Sequence, residues 1–181
     1  LVKEEFGRAT IVRPSYMFGY EDRLLNMIGL FSAIPLGYPV ANHGKALRSP
    51  LYVGDFAEAL FRFCKDKNGL YNGKTFDLIG PEALSFRQLI EFFIKHTFRV
   101  HPIINVPPWL LFLYARMFPE WRRPVLTMDG VRELSIDEPS VKCQGHLGFE
   151  DVGITKLQTL NDMALGFVRG FRPVYAYPRP L

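Results

Sequence analysis

The stretch over residues 51–81 constrains the fold more than any other part of the chain. Leu51, Tyr52 and Val53 make a short strand-like run. Asp55 follows where a carboxylate can accept from the free amides of a first helical turn, with Glu58 at the reciprocal position of a capping box. Phe56, Ala59, Leu60 and Phe63 recur at helical spacing and predict a buried stripe. A polar, glycine-bearing stretch over 68–74 comes next, then a second strand over 75–79 closed by Gly80-Pro81. Strand, helix and strand in this order call for an α/β fold, because a helix with one apolar stripe has to bury it on a sheet.

The flanking sequence extends the pattern. Ala9, Ile11 and Val12 predict a buried strand halted at Arg13-Pro14, since proline lacks the amide that would continue it. Leu24, Leu25, Ile28 and Phe31 share one face of a helix over 23–31. Residues 34–44 read as loop with at most one edge strand. Ser85 and Gln88 form a capping box, with Leu84 and Leu89 in the positions of a hydrophobic staple. Residues 101–108 read as extended, 109–118 and 127–134 as helices, and Thr155 with Gln158 as the cap of a last helix carrying Leu157, Leu160, Ala164, Phe167 and Val168. The proline-rich end, 173–181, is expected to be extended and exposed.

Composition excludes several classes. With 22 Lys+Arg against 18 Asp+Glu the net charge is +4, and no basic stripe marks a nucleic-acid binder. Cys64 and Cys143 sit outside any zinc or disulfide spacing, which favours a reducing compartment. The longest apolar run, 106–118, is interrupted by Pro107, Pro108 and Arg116 and is shorter than the ~20 residues a spanning helix needs. Leu1 is neither an initiator Met nor the start of a leader, so the expectation is a piece of a longer protein. Catalytic motifs fail one by one. Tyr71 and Lys74 are separated by two residues where the dehydrogenase pair needs three, Gly37 to Lys45 is not a phosphate loop, and His96 and His101 lack zincin spacing. The glycine-rich dinucleotide fingerprint is missing too.

Three segments carry a resemblance. Ile11-Val12-Arg13-Pro14-Ser15-Tyr16-Met17-Phe18-Gly19 resembles the strand, Arg-Pro, aromatic, Gly element of the extended short-chain dehydrogenases. Tyr52-Val53-Gly54-Asp55-Phe56-Ala57-Glu58-Ala59 is similar to their Val-x-Asp-x-Ala-x-Ala helix start. Gly153-Ile154-Thr155-Lys156-Leu157 resembles their late turn into a terminal helix, although Val152 and Thr155 or Lys156 stand where the family commonly has Leu and Pro. Within that superfamily, Glu21-Asp22-Arg23 with Asn26, Pro35-Leu36-Gly37, Asn72-Gly73-Lys74 and Gly148-Phe149-Glu150-Asp151-Val152-Gly153-Ile154 resemble the nucleotide-binding accessory subunits of mitochondrial respiratory complex I.

The resemblance implies the C-terminal part of a Rossmann-type doubly wound sheet over 1–82 and a small, mostly helical lobe over 83–181. It implies NADPH as cofactor, most of whose site lies in sequence not present here, with Arg13, Pro14, Ser15, Tyr16 and Arg48 on the cofactor-facing side. Arg48, seven residues before Asp55, stands where sugar-nucleotide epimerases pair a base with the substrate diphosphate, a task suited to a planar guanidinium; it also reads as a solvated loop arginine. Arg13 reads equally as a buried ion-pair partner. The implied role is a non-catalytic accessory subunit, peripheral on the matrix side of the inner membrane, supporting assembly and stability near the junction of the matrix and membrane arms. The alternative is an active NAD(P)-dependent extended dehydrogenase or sugar-nucleotide epimerase.

The segment 109–121 carries the partner expectation. Apolar residues surround most of the circumference of its helix, more than one packed face can bury. Trp109, Phe112, Trp121 and Arg122 are therefore expected to contact membrane-arm subunits near the quinone site and lipid headgroups. An internal core helix of the lobe is the competing reading.

Overall fold

The computed structural model describes residues 2–31, 37–98, 101–117, 128–138 and 147–172. The tail over 173–181, Cys143, Trp121 and Arg122 lie outside them. In chain order the first elements are α1 (Val2–Glu5), β1 (Ile11–Pro14), β2 (Met17–Phe18), α2 (Arg23–Phe31), β3 (Tyr38–Val40), β4 (Leu47–Arg48), β5 (Leu51–Tyr52) and α3 (Val53–Lys65). They are followed by β6 (Thr75–Leu78), β7 (Leu84–Ser85), α4 (Phe86–Thr97), β8 (Ile103–Asn105), α5 (Pro108–Met117), α6 (Met128–Ser135) and α7 (Leu160–Val168).

Parallel pairing dominates. β1 lies beside β6, β2 beside β5 and β3 beside β8, while β4 and β7 run antiparallel. Leu147 adds a parallel bridge on Phe76, so β6 has neighbours on both edges. Parallel neighbours cannot be joined by a tight turn, and α2 and α3 both lie in the stretch of chain that connects β1 to its parallel neighbour β6. This is a mixed α/β fold with a partial sheet.

Four expectations about local structure are corrected. β1 runs through Arg13 and Pro14 instead of halting before them, with Arg13 opposite Asp77 and Pro14 opposite Leu78. Proline removes one donor only, and the next amide, Ser15 N, donates to the Leu78 carbonyl at 2.9 Å. Asp55 does not cap α3. That helix starts at Val53 after Tyr52, and the Asp55 carboxylate instead accepts from the Gln158 amide at 2.7 Å. With Gln158 so engaged, the last helix starts later than expected. Its cap is Thr159 with Asp162 in a reciprocal capping box, and residues before it pass through Gly153 at φ +81°. Leu60, expected in the buried stripe of α3, is exposed, and Glu58 pairs with Arg62 one turn on.

The main core joins Phe18, Leu25, Ile28, Tyr38 and Val40 to Phe86, Leu89, Ile90 and Phe93 of α4 and Leu160 and Val168 of α7. It therefore draws on residues from both sides of position 82. α4 carries the expected capping box, Ser85 accepting from Gln88 N while the Gln88 side chain accepts from Ser85 N. Its far end is tied by Arg172, which donates to the His96 carbonyl at 2.9 Å. A second core, around Leu51, Ala59, Phe76, Leu78 and Phe149, fills the space between α3 and the β1–β6 pair. A third, smaller one joins Ala41, Leu111, Ala115 and Val131.

Candidate functional site

β1 delivers the chain to a cleft of about 470 Å³ lined by Pro14, Ser15, Tyr16, Arg48, Arg132, Ile136, Asp137 and Glu138. Four of the five residues expected on the cofactor-facing side thus meet there. Arg13 is not among the lining residues. Its guanidinium grips Asp77 through two parallel bonds of 2.6 and 2.9 Å, and while the Asp77 side chain is 7% exposed, that of Arg13 is 51% exposed. The ion pair expected of Arg13 is present, half in solvent, and it locks β1 to β6.

Ser15 is buried at the base of the cleft. Its hydroxyl donates to the Ser49 carbonyl at 2.7 Å and accepts from Gly80 N at 3.0 Å, stitching β1, the β4–β5 turn and the end of β6 together. Only glycine fits at position 80, since a Cβ there would lie 2.0 Å from the Pro50 carbonyl oxygen. Pro14 presents an exposed ring at the rim.

Tyr16 points its hydroxyl away from the cleft, into the Asp22 carboxylate. Asp22 also accepts from Leu24 N at 3.1 Å and Leu25 N at 2.8 Å, the two amides that an N-cap residue satisfies at the start of α2. Asn26 closes the same turn, donating to the carbonyls of Tyr20 and Asp22. The Glu21-Asp22-Arg23 and Asn26 pattern is therefore the fastening of α2 behind Tyr16. Burial pushes the Tyr16 phenol far above its ordinary value, reinforced by the Asp22 charge and hydrogen bond, so it stays a neutral donor. Burial also raises the Asp22 carboxyl, opposed by the bonds from Tyr16, Leu25 and Leu24.

The opposite wall was not foreseen. The Glu138 carboxylate accepts from the backbone amides of Tyr16 and, at 2.9 Å, Ser49. Asp137 accepts from Leu47 N at 3.1 Å, and Glu138 N donates to the Leu47 carbonyl at 2.9 Å. Arg48, 8% exposed, donates to the carbonyls of Ile136 at 2.8 Å and Leu47 at 2.9 Å. It is not a solvated loop arginine: it is buried and lines the cleft with these two carbonyls among its partners. Nothing local in the sequence links 136–138 to 16 and 47–49; the sole signal is an acidic pair following a helix.

For a dinucleotide the fit is one-sided. The Pro14 ring and Tyr16 offer an apolar edge of the kind a nicotinamide ring can lie against. The backbone donors nearby are taken by carboxylates, and the chain has no glycine-rich turn for a pyrophosphate. Among the described residues there is no cluster of His, Cys, Asp and Glu able to hold a metal, and no helix long and apolar enough to cross a membrane.

At the partner-contact segment, Trp109 is 66% exposed, with Leu110, Leu113, Tyr114 and Met117 also exposed, whereas Phe112 is half-buried against the third core with Leu111 and Ala115. α5 starts at Pro108, one residue before the expected helix, with Leu110 N and Leu111 N donating to the Pro107 carbonyl, a position where the amide proline lacks would be unpaired anyway.

No protein-family model matches the chain. Relatives do. NADH dehydrogenase (ubiquinone) 1 alpha subcomplex subunit 9, mitochondrial, of Rattus norvegicus is 31% identical over 157 residues, covering 84% of this chain and 40% of that protein. The NADH-ubiquinone oxidoreductase 40 kDa subunit, mitochondrial, of Neurospora crassa is 29% identical over 160 residues, covering 85% of this chain and 40% of that protein. The chain thus spans about 40% of the length of these curated relatives. In structure it is similar to a dTDP-glucose 4,6-dehydratase of Streptomyces venezuelae, with a TM-score of 0.59 and 14% identity over 97% of this chain and 47% of that one, a likeness of fold alone. The chain is therefore a homologue of the alpha subcomplex subunit 9 and 40 kDa subunit proteins named for mitochondrial NADH dehydrogenase, with a mixed α/β fold of the Rossmann type.

Proposed function

We propose that this chain is the C-terminal part of a non-catalytic accessory subunit of mitochondrial complex I. Its role is assembly and stability on the matrix side of the inner membrane, near the junction of the matrix and membrane arms. The observation that carries this reading is the alignment of 84–85% of the chain with two subunits named for that complex.

On this reading NADPH is held mainly by the rest of the protein, and Pro14, Ser15 and Tyr16 border its nicotinamide end. Arg13 and Arg48 serve by fixing that border, Arg13 through Asp77 and Arg48 through Ile136. A bound dinucleotide would supply a large ordered ligand across the two parts of the protein; no proton or hydride step is assigned to residues of this chain. The division into a sheet part over 1–82 and a helical lobe over 83–181 belongs to the same proposal. So does a contact of α5, through Trp109 with Trp121 and Arg122, with membrane-arm subunits near the quinone site and with lipid headgroups; Phe112 supports that face from within.

Native electrophoresis of mitochondria with and without the full-length protein is the test. It should comigrate with complex I, and its loss should deplete the assembled complex. The competing reading, an active dehydrogenase or epimerase, draws on the structural relative named a dTDP-glucose 4,6-dehydratase and having NAD bound. Purified full-length protein that runs apart from complex I and oxidises or epimerises a sugar nucleotide would establish it.

A further inference from the structure

We infer that Ile136-Asp137-Glu138 is a built-in strap that occupies the anion-accepting end of the cleft with the protein's own carboxylates, keeping the diphosphate of a sugar nucleotide out of this cleft while the Pro14–Tyr16 edge stays open to a nicotinamide ring. The inference rests on the non-catalytic reading above and gives it a physical cause.

The donors are the starting point. Tyr16 N and Ser49 N converge on one carboxylate, Glu138, and Leu47 N is taken by Asp137. Converging backbone amides next to a guanidinium are the chemistry that holds a phosphate or pyrophosphate. Here each of the three amides already has a carboxylate partner in the same chain, and the Arg48 guanidinium is engaged by the carbonyls of Leu47 and Ile136. The strap is itself held at both ends, by Arg48 on the Ile136 carbonyl and by Glu138 N on the Leu47 carbonyl. A competing anion would have to displace a tethered carboxylate and leave it facing a second negative charge at hydrogen-bond distance. An intramolecular partner is always present at high effective concentration, so the exchange favours the strap.

The sequence separations argue that this arrangement is tertiary in origin. The bonds join residues 88 to 122 positions apart, and they tie the end of α6 to the β1–β2 turn and to β4. An anion entering the cleft would therefore have to loosen the joint between those elements as well as exchange hydrogen bonds.

The experiment uses the full-length protein saturated with NADPH, so that its dinucleotide site is filled, carrying Glu138→Ala or the shape-conserving Glu138→Gln and titrated calorimetrically with inorganic pyrophosphate, and Glu82→Gln, an exposed carboxylate elsewhere, as the control for net charge. Both Glu138 variants should bind at least about tenfold tighter than wild type, and Glu82→Gln should not. Wild-type binding as tight as that of the variants, or folded variants that gain nothing over the control, would overturn the strap. Should both variants fail to fold, amide exchange in the wild-type protein decides. Tyr16 and Ser49 amides that stay slow with and without pyrophosphate support the proposal, and amides that respond to it refute it. Complex I incorporation of the same variants is read separately. A gain in pyrophosphate binding by a protein absent from complex I leaves the strap standing and removes the accessory-subunit reading.

Discussion

α4 and α5 are both helices of three turns or so rich in large apolar residues, yet they stand in opposite relations to the rest of the molecule. α4 opens with a complete capping box and buries Phe86, Leu89, Ile90 and Phe93 on one face, leaving Arg87 and Glu91 to pair in solvent on the other. α5 opens on a proline with no side-chain cap and buries Leu111 and Ala115, while Trp109, Leu110, Leu113, Tyr114 and Met117 remain outside. In α4 every apolar residue is buried in the core or half-buried against it. In α5 the apolar pattern exceeds the buried face. The surplus cannot be accounted for by folding of the described residues, and it is what makes a partner surface the natural proposal for α5 and not for α4.

Mutation should separate the two helices sharply. Phe93→Ala, in the middle of the α4 core, should cost about 3–5 kcal/mol in denaturant unfolding, because its surroundings can close only partly over the cavity. A cost near zero would mean that α4 packs elsewhere. Ser85→Ala should cost about 1 kcal/mol by removing the cap of α4, read in the same unfolding experiment; no comparable single residue exists at the start of α5. Trp109→Ser should change stability by less than about 0.5 kcal/mol, as an exposed substitution does, and still reduce incorporation into complex I on native gels. A Trp109 variant that unfolds on its own would erase the contrast.

The smallest effect concerns α7, a third helix that is capped like α4. The amide and hydroxyl of Thr159 hold the Asp162 carboxyl below its ordinary value. A lowered native value means that this stabilisation is present above the ordinary carboxylate range and is lost as pH falls through it and below. Asp162→Asn should therefore differ from wild type in melting temperature near neutrality, and the difference should shrink in acid. A difference independent of pH would remove the carboxylate from the cap.

Period and punctuation were enough to place α2, the Ser85 cap and the β6 strand, because each depends on neighbours three or four residues away or on a local breaker such as Gly80-Pro81. Pro14, Ser15, Tyr16 and Arg48, singled out one by one through the resemblance, lie at one cleft, a grouping the tertiary structure supplies. Other features depended on pairings across the chain. Asp55 has the local signature of a cap, yet its partner is Gln158, and Thr155 with Gln158 looks like a capping box that Thr159 with Asp162 supersedes. A carboxylate satisfies whichever amide the fold brings within reach, and sequence spacing ranks only the near ones. Glu138 is the extreme case. Its partners Tyr16 and Ser49 lie 122 and 89 positions away, so only the tertiary placement of residues 136–138 beside them decides that these amides meet the protein's own carboxylate.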